Sequence, residues 1–247
     1  MIRRLVKKLL YKGEYVKIEL NRNQLKYIAI IAMVLDHFAV LFIPTSNYIY
    51  SVFRIIGKLT APIMCYFLAE GYRYTSSKKK YGMRLFNFSI ISQFAFSLAF
   101  YNKIFTINFN MIFTLFLCFL VLLSYEKIAN KLLKWISILS IVVISHFSDW
   151  GILAPLWVLV FYIFKEEKML QTIYFSIITI LVVHLKYMII YNYSLNTIFI
   201  YYGLFLSIPI LYLYNGEKGN SNKFNKWFFY IFYWRIVYRY VRRTRRL

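Results

Sequence analysis

Apolar runs of about 20 residues, the length that carries a helix across roughly 30 Å of hydrocarbon, recur between Leu25 and Tyr214, separated by short polar or charged breaks. The breaks predict eight spans, at about 25–43, 49–72, 84–101, 111–125, 133–148, 150–165, 171–190 and 196–214. The period-2 alternation of barrel strands is absent, and backbone polar groups in hydrocarbon must be bonded within their own segment. The pattern therefore predicts an all-α fold, a polytopic transmembrane helical bundle. Several runs are short, which leaves room for one or two tilted, re-entrant or merged segments.

Composition supports this reading. Sixty-one per cent of the 247 residues are apolar and 21% aromatic, more than one soluble core of this size hides. The formal charge of +22 would by itself suggest nucleic acid, but the basic residues fall in short blocks between apolar runs rather than on one face. No nucleic-acid partner is expected, and the blocks read as topology signals on a multi-pass protein of a bacterial-type cell membrane. The segment before residue 27 carries eight Lys and Arg, and the breaks 73–84, 126–134, 165–170 and 215–226 carry five, three, two and three. The alternate breaks 44–48, 102–110, 145–150 and 191–195 carry only Lys103. This asymmetry predicts a cytoplasmic N-terminus and an even number of spans.

Three regions result: a cytoplasmic basic arm at 1–24 that lies on anionic lipid or in solvent, a transmembrane unit at 25–214, and a cytoplasmic loop and tail at 215–247. No cleavable signal peptide is evident in the first block. The tail is set apart by its basic residues. Residues 235–247 hold six Arg and no Lys, against six Arg and 19 Lys in all that precedes them. Crossing would export those arginines, so an interfacial helix is expected there. Cys65 and Cys118 lie inside apolar runs without metal-ligand spacing and read as small core residues; no metal is expected.

Ionisable residues inside spans are expensive and generally face a bundle interior or a water-filled cavity. Counting about 1.5 Å per residue from Leu25 places Asp36 and His37 in the outer half of the first span. Arg54 and Lys58, four residues apart on one helical face, enter the second span from the same side. His146, Asp149, His184 and Lys186 lie toward that side as well, whereas Glu70 lies at the inner end of the second span.

This set admits a structural salt bridge between Asp36 and Arg54 or Lys58, a proton relay in a transporter, or a catalytic centre. A catalytic centre would use His37 as general base, an aspartate as its electrostatic partner and Arg54 as a cation for developing oxyanion charge. Adjacent helical residues point about 100° apart, so Asp36 is poorly aimed at His37, and Asp149 is at least as good a partner. Asp149 also reads as a helix cap in "SDWG". Serine-hydrolase, dinucleotide-binding, zinc-protease and CxxC patterns are missing, and "GKLT" at 57–60 lacks the preceding glycines of a phosphate loop. "SSKKK" at 76–80 is a topology signal that would also suit a phosphorylated cofactor such as coenzyme A.

The order of several stretches resembles the TraX family, membrane proteins named after the factor associated with N-terminal acetylation of F pilin. They are "LKYIAIIAMVLDHF" at 25–38, "FRIIGKLTAPIMCYFLAEGYRYTSSKKKYGMRL" at 53–85, "FNMIFTL" at 109–115, "SDWG" at 148–151 and "LYNGEKG" at 213–219. The first stretch also looks like the opening span of the wider acyltransferase-3 group. The resemblance implies a membrane acyltransferase, moving an acetyl or other acyl group from acyl-CoA to an amine or hydroxyl of a pilin-like peptide or glycan on the far side. The family pattern picks out Asp36, His37, Arg54, Gly57, Pro62, Glu70, Gly71, Asn110 and Asp149. Catalytic roles are assigned to His37, Asp36, Arg54 and Asp149, and substrate or cofactor binding to Lys58, Glu70, Asn110, Lys79 and Arg84. In the tail, Trp234 and Ile236 stand where the family has a proline and a histidine. A proton-coupled transporter or flippase and a non-catalytic membrane partner are the alternative functions.

Overall fold

The computed structural model describes residues 19–185 and 195–219. Within them the chain is helical: α1 (Arg22–Phe42), α2 (Tyr48–Gly57), α3 (Thr60–Tyr74), α4 (Lys78–Tyr101), α5 (Met111–Lys127), α6 (Lys131–Ser145), α7 (Leu153–Ile163), α8 (Lys168–Val182), α9 (Leu195–Tyr202), a 3₁₀ turn (Gly203–Leu206) and α10 (Ser207–Tyr212). The only pairing of extended backbone among the described residues is two isolated bridges, Leu20 with Tyr214 and Phe109 with Ser148. Residues 1–18 of the basic arm, the Arg-rich tail, Trp234, Ile236 and Lys186 lie outside the described residues; residues 22–24, read as the end of the arm, instead form the first turn of α1, which Asn21 caps.

Asparagine sets several helix starts, since its short side chain supplies the acceptor that orphan N–H groups need. Asn21 accepts from the backbone of Asn23 and Gln24, while the Gln24 side chain accepts from the Asn21 N–H, a reciprocal capping box. The side chains of Asn47, Asn110 and Asn130 accept from first-turn N–H groups of α2, α5 and α6, and that of Ser77 from α4. Asn102, in the left-handed conformation at φ 52°, ends α4.

Among the described residues, the expected spans fall on helical segments, the run at 171–190 being described as far as residue 185. Four stretches are long and apolar enough to cross a membrane: Arg22–Phe42, Tyr48–Tyr74, Lys78–Tyr101 and Lys168–Leu185. The other four fall on shorter elements; α7, with 11 residues, is about 16 Å long. The second span is α2 and α3 joined end to end. Pro62 has no N–H to offer the Lys58 carbonyl one turn back, and the chain turns at Lys58–Leu59, where Leu59 bonds to Ile56 in a tighter i→i+3 turn.

Helix α7 is apolar all round and occupies the centre, burying Leu153, Ala154, Trp157, Val158 and Phe161 against α3, α5 and α8. Cys65 and Cys118 are free thiols in the same core. The outward faces are apolar too. Leu132, Ile136, Leu139 and Val143 on α6 and Met169, Ile173, Ile177 and Leu181 on α8 are exposed, forming surfaces that suit lipid rather than water.

Successive segments run antiparallel, so the breaks alternate between two ends. One end gathers Arg22, Glu70, Arg73, Lys78, Glu126 and Lys168: the Leu20 N–H donates to the Leu213 carbonyl and the Asn215 N–H to the Leu20 carbonyl around the Leu20–Tyr214 bridge, Lys78 pairs with Glu126, and Arg73 donates to the carbonyls of Phe161 (3.0 Å) and Tyr162. The other end gathers Asp36, His37, Arg54, Lys58 and Asp149. The charge asymmetry of the sequence is thus an asymmetry between two ends of the bundle.

Candidate functional site

At the charge-poor end, Arg54 Nη1 donates to Asp36 Oδ2 at 2.6 Å, with about a fifth of each side chain accessible. This pair ties α1 to α2. The second carboxylate oxygen, Oδ1, is buried and has no hydrogen-bond partner. Gly57 is what lets the carboxylate sit there. A Cβ built at position 57 would lie 2.3 Å from Asp36 Cβ and 2.4 Å from its Oδ1, so only a residue without a side chain lets α2 approach α1 this closely.

The pair lines a cavity of about 120 Å³ together with Gly57, Lys58, Asp149, Trp150, Trp157 and Tyr201. Lys58 reaches it from the turn that Pro62 makes and stands 4.5 Å from the centre of the Tyr201 ring, a cation–π contact. Tyr201 is carried by α9, which is held close to α2 at Gly203: a Cβ there would lie 2.4 Å from the Ile55 carbonyl oxygen. Two cations and two carboxylates drawn from three separate parts of the chain therefore face one small space.

Asp149 is placed by backbone pairing. The Phe109 N–H donates to the Phe147 carbonyl at 2.8 Å, the Asp149 N–H to the Phe109 carbonyl at 2.9 Å, and Gly151, at φ 53°, closes the turn onto Ser148. The cap of α7 is Ile152, with no side-chain capping bond, so the Asp149 carboxylate is left to the cavity. Asn110 supports this assembly from below. It is fully buried; its Oδ1 accepts from Ile112 and Phe113, and its Nδ2 donates to Ser89 O and Gln93 Oε1. Asn110 lines neither this cavity nor the one described next, and its bonds are those of a helix cap tied to α4.

His37 is buried and packs its ring edge-on against Phe100, 5.1 Å between centroids. It does not line the cavity, in keeping with its 100° offset from Asp36. His146 is exposed against Phe147, and His184 meets the Tyr202 hydroxyl at 3.2 Å; both stand apart from the cavity.

Glu70 belongs to the charge-rich end. Its Oε2 lies 2.9 Å from Arg22 Nη2, and its Oε1 accepts from the Tyr214 hydroxyl at 2.9 Å, closing α1, α3 and the segment after α10 into one contact. Lys79 is exposed on the first turn of α4. Arg84, also exposed, stands at the edge of a larger cavity of about 310 Å³ with Arg22 and Lys26. The residues that sequence reasoning missed are Tyr214, which completes the Glu70 contact, and Trp157 and Tyr201, which wall the Asp36 cavity. "LYNGEKG" contained the first; aromatic residues inside apolar runs carried no distinguishing signal for the others.

The sequence matches the family model described as TraX protein over residues 21–235. It is 31% identical over 226 residues to the "Probable fimbrial assembly protein FimC, serogroup H1" of Dichelobacter nodosus, covering 87% of this chain and 92% of that protein. No solved structure matches. The matched range holds Asp36, Arg54, Gly57, Lys58, Glu70 and Asp149, all of the charged framework at both ends: the chain is a member of the TraX family, related to fimbrial assembly proteins.

Proposed function

We propose that this protein is a multi-pass cell-membrane acyltransferase that transfers an acyl group, in the simplest case acetyl, from acyl-CoA to an amine or hydroxyl on the outer side of the membrane. The observation that carries the reading is the Asp36 cavity, where an ion pair with a spare buried carboxylate oxygen faces Lys58 and Asp149. A structural salt bridge needs neither the second cation nor the second carboxylate, and it needs no cavity.

The chemistry asks for groups of this kind. Attack of the acceptor on the thioester carbonyl forms the new acyl–nitrogen or acyl–oxygen bond, gathers negative charge on the carbonyl oxygen, and releases a proton from the acceptor and a thiolate from the donor. Arg54 and Lys58 supply positive charge to the developing oxyanion. Asp36 and Asp149 orient the acceptor, and His37 takes the acceptor's proton and passes it to the leaving thiolate. That role requires the His37 ring to turn from Phe100 toward the cavity, a rotation about its own side-chain bonds. A relative named as a fimbrial assembly protein favours a pilin-like peptide as the acceptor, a surface glycan being the other acceptor of matching chemistry.

Mass spectrometry of surface peptides and glycans from cells with and without the protein tests this. The expected result is one class of molecule lighter by one acyl group in its absence. Proton- or solute-coupled flux in reconstituted vesicles without consumption of acyl-CoA would overturn it in favour of a transporter.

A further inference from the structure

The larger cavity at the charge-rich end has no part in the chemistry above. Arg22, Lys26, Thr75, Tyr81 and Arg84 contribute polar groups to its lining, and Met64, Phe67, Leu68, Leu85 and Leu115 form an apolar wall. Its volume of about 310 Å³ is that of a small-molecule site. Three cations line it and no carboxylate does. The nearest acid, Glu70, engages Arg22 Nη2 from outside the lining, while Arg22 Nε is buried and makes no hydrogen bond. Lys26 and Arg84 lean on the faces of Phe67 and Tyr81, at 5.9 and 5.8 Å, contacts that leave their charges unneutralised. Gly71, in the lining, keeps the space open beside the Tyr81 hydroxyl: a Cβ there would come within 3.2 Å of it.

Excess positive charge beside an apolar wall fits a ligand with phosphate groups at one end and an uncharged extension at the other. We infer that this cavity is the donor site, holding the phosphates of coenzyme A against Arg22, Lys26 and Arg84; the assignment rests on the acyltransferase reading above. The chain's charge asymmetry places the cavity on the cytoplasmic side, where acyl-CoA is made. Lys26 and Asp36 are ten residues apart on α1, so the two cavities lie about 15 Å from one another along the bundle. Between them α1 and α3 are closed by Ala29, Ala32 and Ile63 and by the Thr60 hydroxyl bonded to the Ala29 carbonyl at 3.0 Å. The uncharged arm of the donor has to part this layer to reach Asp36.

Titration of the purified full-length protein in neutral detergent with labelled, unacylated coenzyme A tests the site without requiring any transfer. Wild type is expected to bind saturably, less tightly as salt rises; Arg84→Glu and Lys26→Gln each weaken binding about tenfold, the loss of one charge-assisted contact. Arg84→Lys retains most of the affinity, and because Arg84 is exposed these variants at 84 keep the wild-type melting temperature. Binding undiminished in both Arg84→Glu and Lys26→Gln overturns the site and leaves the transferase reading standing. Binding that depends on Arg84 in a protein that transfers nothing supports the site and removes the transferase reading. Anionic phospholipid that co-purifies with wild type, is lost from Arg84→Glu and resists displacement by coenzyme A makes the cavity a headgroup site and overturns the donor assignment.

Discussion

The two ends of the bundle use charge in opposite ways. At the Asp36 end, two cations and two carboxylates line one cavity, Arg54 is paired with Asp36, and a glycine notch, a proline-made turn and a backbone bridge place these four residues from three parts of the chain. At the Arg22 end, three cations and no carboxylate line the cavity, Glu70 engaging Arg22 from outside it, and the cavity is larger and half walled with apolar side chains. A balanced, rigid site holds charge ready for a reaction that moves charge, whereas an unbalanced one attracts an anion and keeps it. Variants at the first end should lose turnover, and variants at the second should lose donor affinity.

The largest expected effect is at the ion pair. Arg54→Ala removes oxyanion charge, for which a loss of about 10² to 10³ in transfer rate is expected. It also strands the Asp36 carboxylate; breaking a fully buried pair costs about 3–5 kcal/mol, and less is expected here because a fifth of each side chain is accessible. Rates are therefore normalised to folded protein in the membrane. A comparable fall, by about 10² or more, is expected for His37→Ala at unchanged membrane abundance if the histidine carries the proton. Undiminished transfer by an abundant His37→Ala protein would leave His37 as a packing partner of Phe100.

Gly57→Ala asks whether the notch matters as much as the charges. The added carbon cannot coexist with Asp36 where it stands, so a loss of about tenfold or more is expected without removal of any charged group, the cost of a displaced reacting geometry. Asp149→Asn keeps size and backbone bonds while removing one charge, and a smaller loss, about tenfold, is expected at unchanged donor affinity. At the bottom of the scale, Lys165→Ala breaks an exposed pair with Glu166 in the turn between α7 and α8, and neither turnover nor donor affinity is expected to move.

Much of this was legible in the sequence. Apolar run length located the helical segments among the described residues without showing the breaks inside the second and last runs, and the alternation of basic breaks sorted the residues into the two ends. Depth counting put Asp36, His37, Arg54, Lys58, His146, Asp149 and His184 toward one side, and of these Asp36, Arg54, Lys58 and Asp149 line one cavity while the three histidines stand off it. Distances across helices were not legible. Arg54 rather than Lys58 became the partner of Asp36 because Pro62 breaks the second span beside Lys58 and turns that lysine toward Tyr201. The same limit applies to Asn110, whose type and spacing fit a ligand-binding residue as well as the cap it forms. Glu70 looked isolated because its partners, Arg22 and Tyr214, stand 48 and 144 positions away in the chain.

The most direct measurement of the central claim is transfer of a labelled acetyl group from acetyl-CoA to surface peptides in vesicles holding wild-type protein, the Asp36→Asn variant or the Arg84→Glu variant. Labelled peptide is expected with wild type; Asp36→Asn abolishes labelling at every donor concentration, and Arg84→Glu recovers it when acetyl-CoA is raised. Equal labelling by wild type and Asp36→Asn would contradict the account.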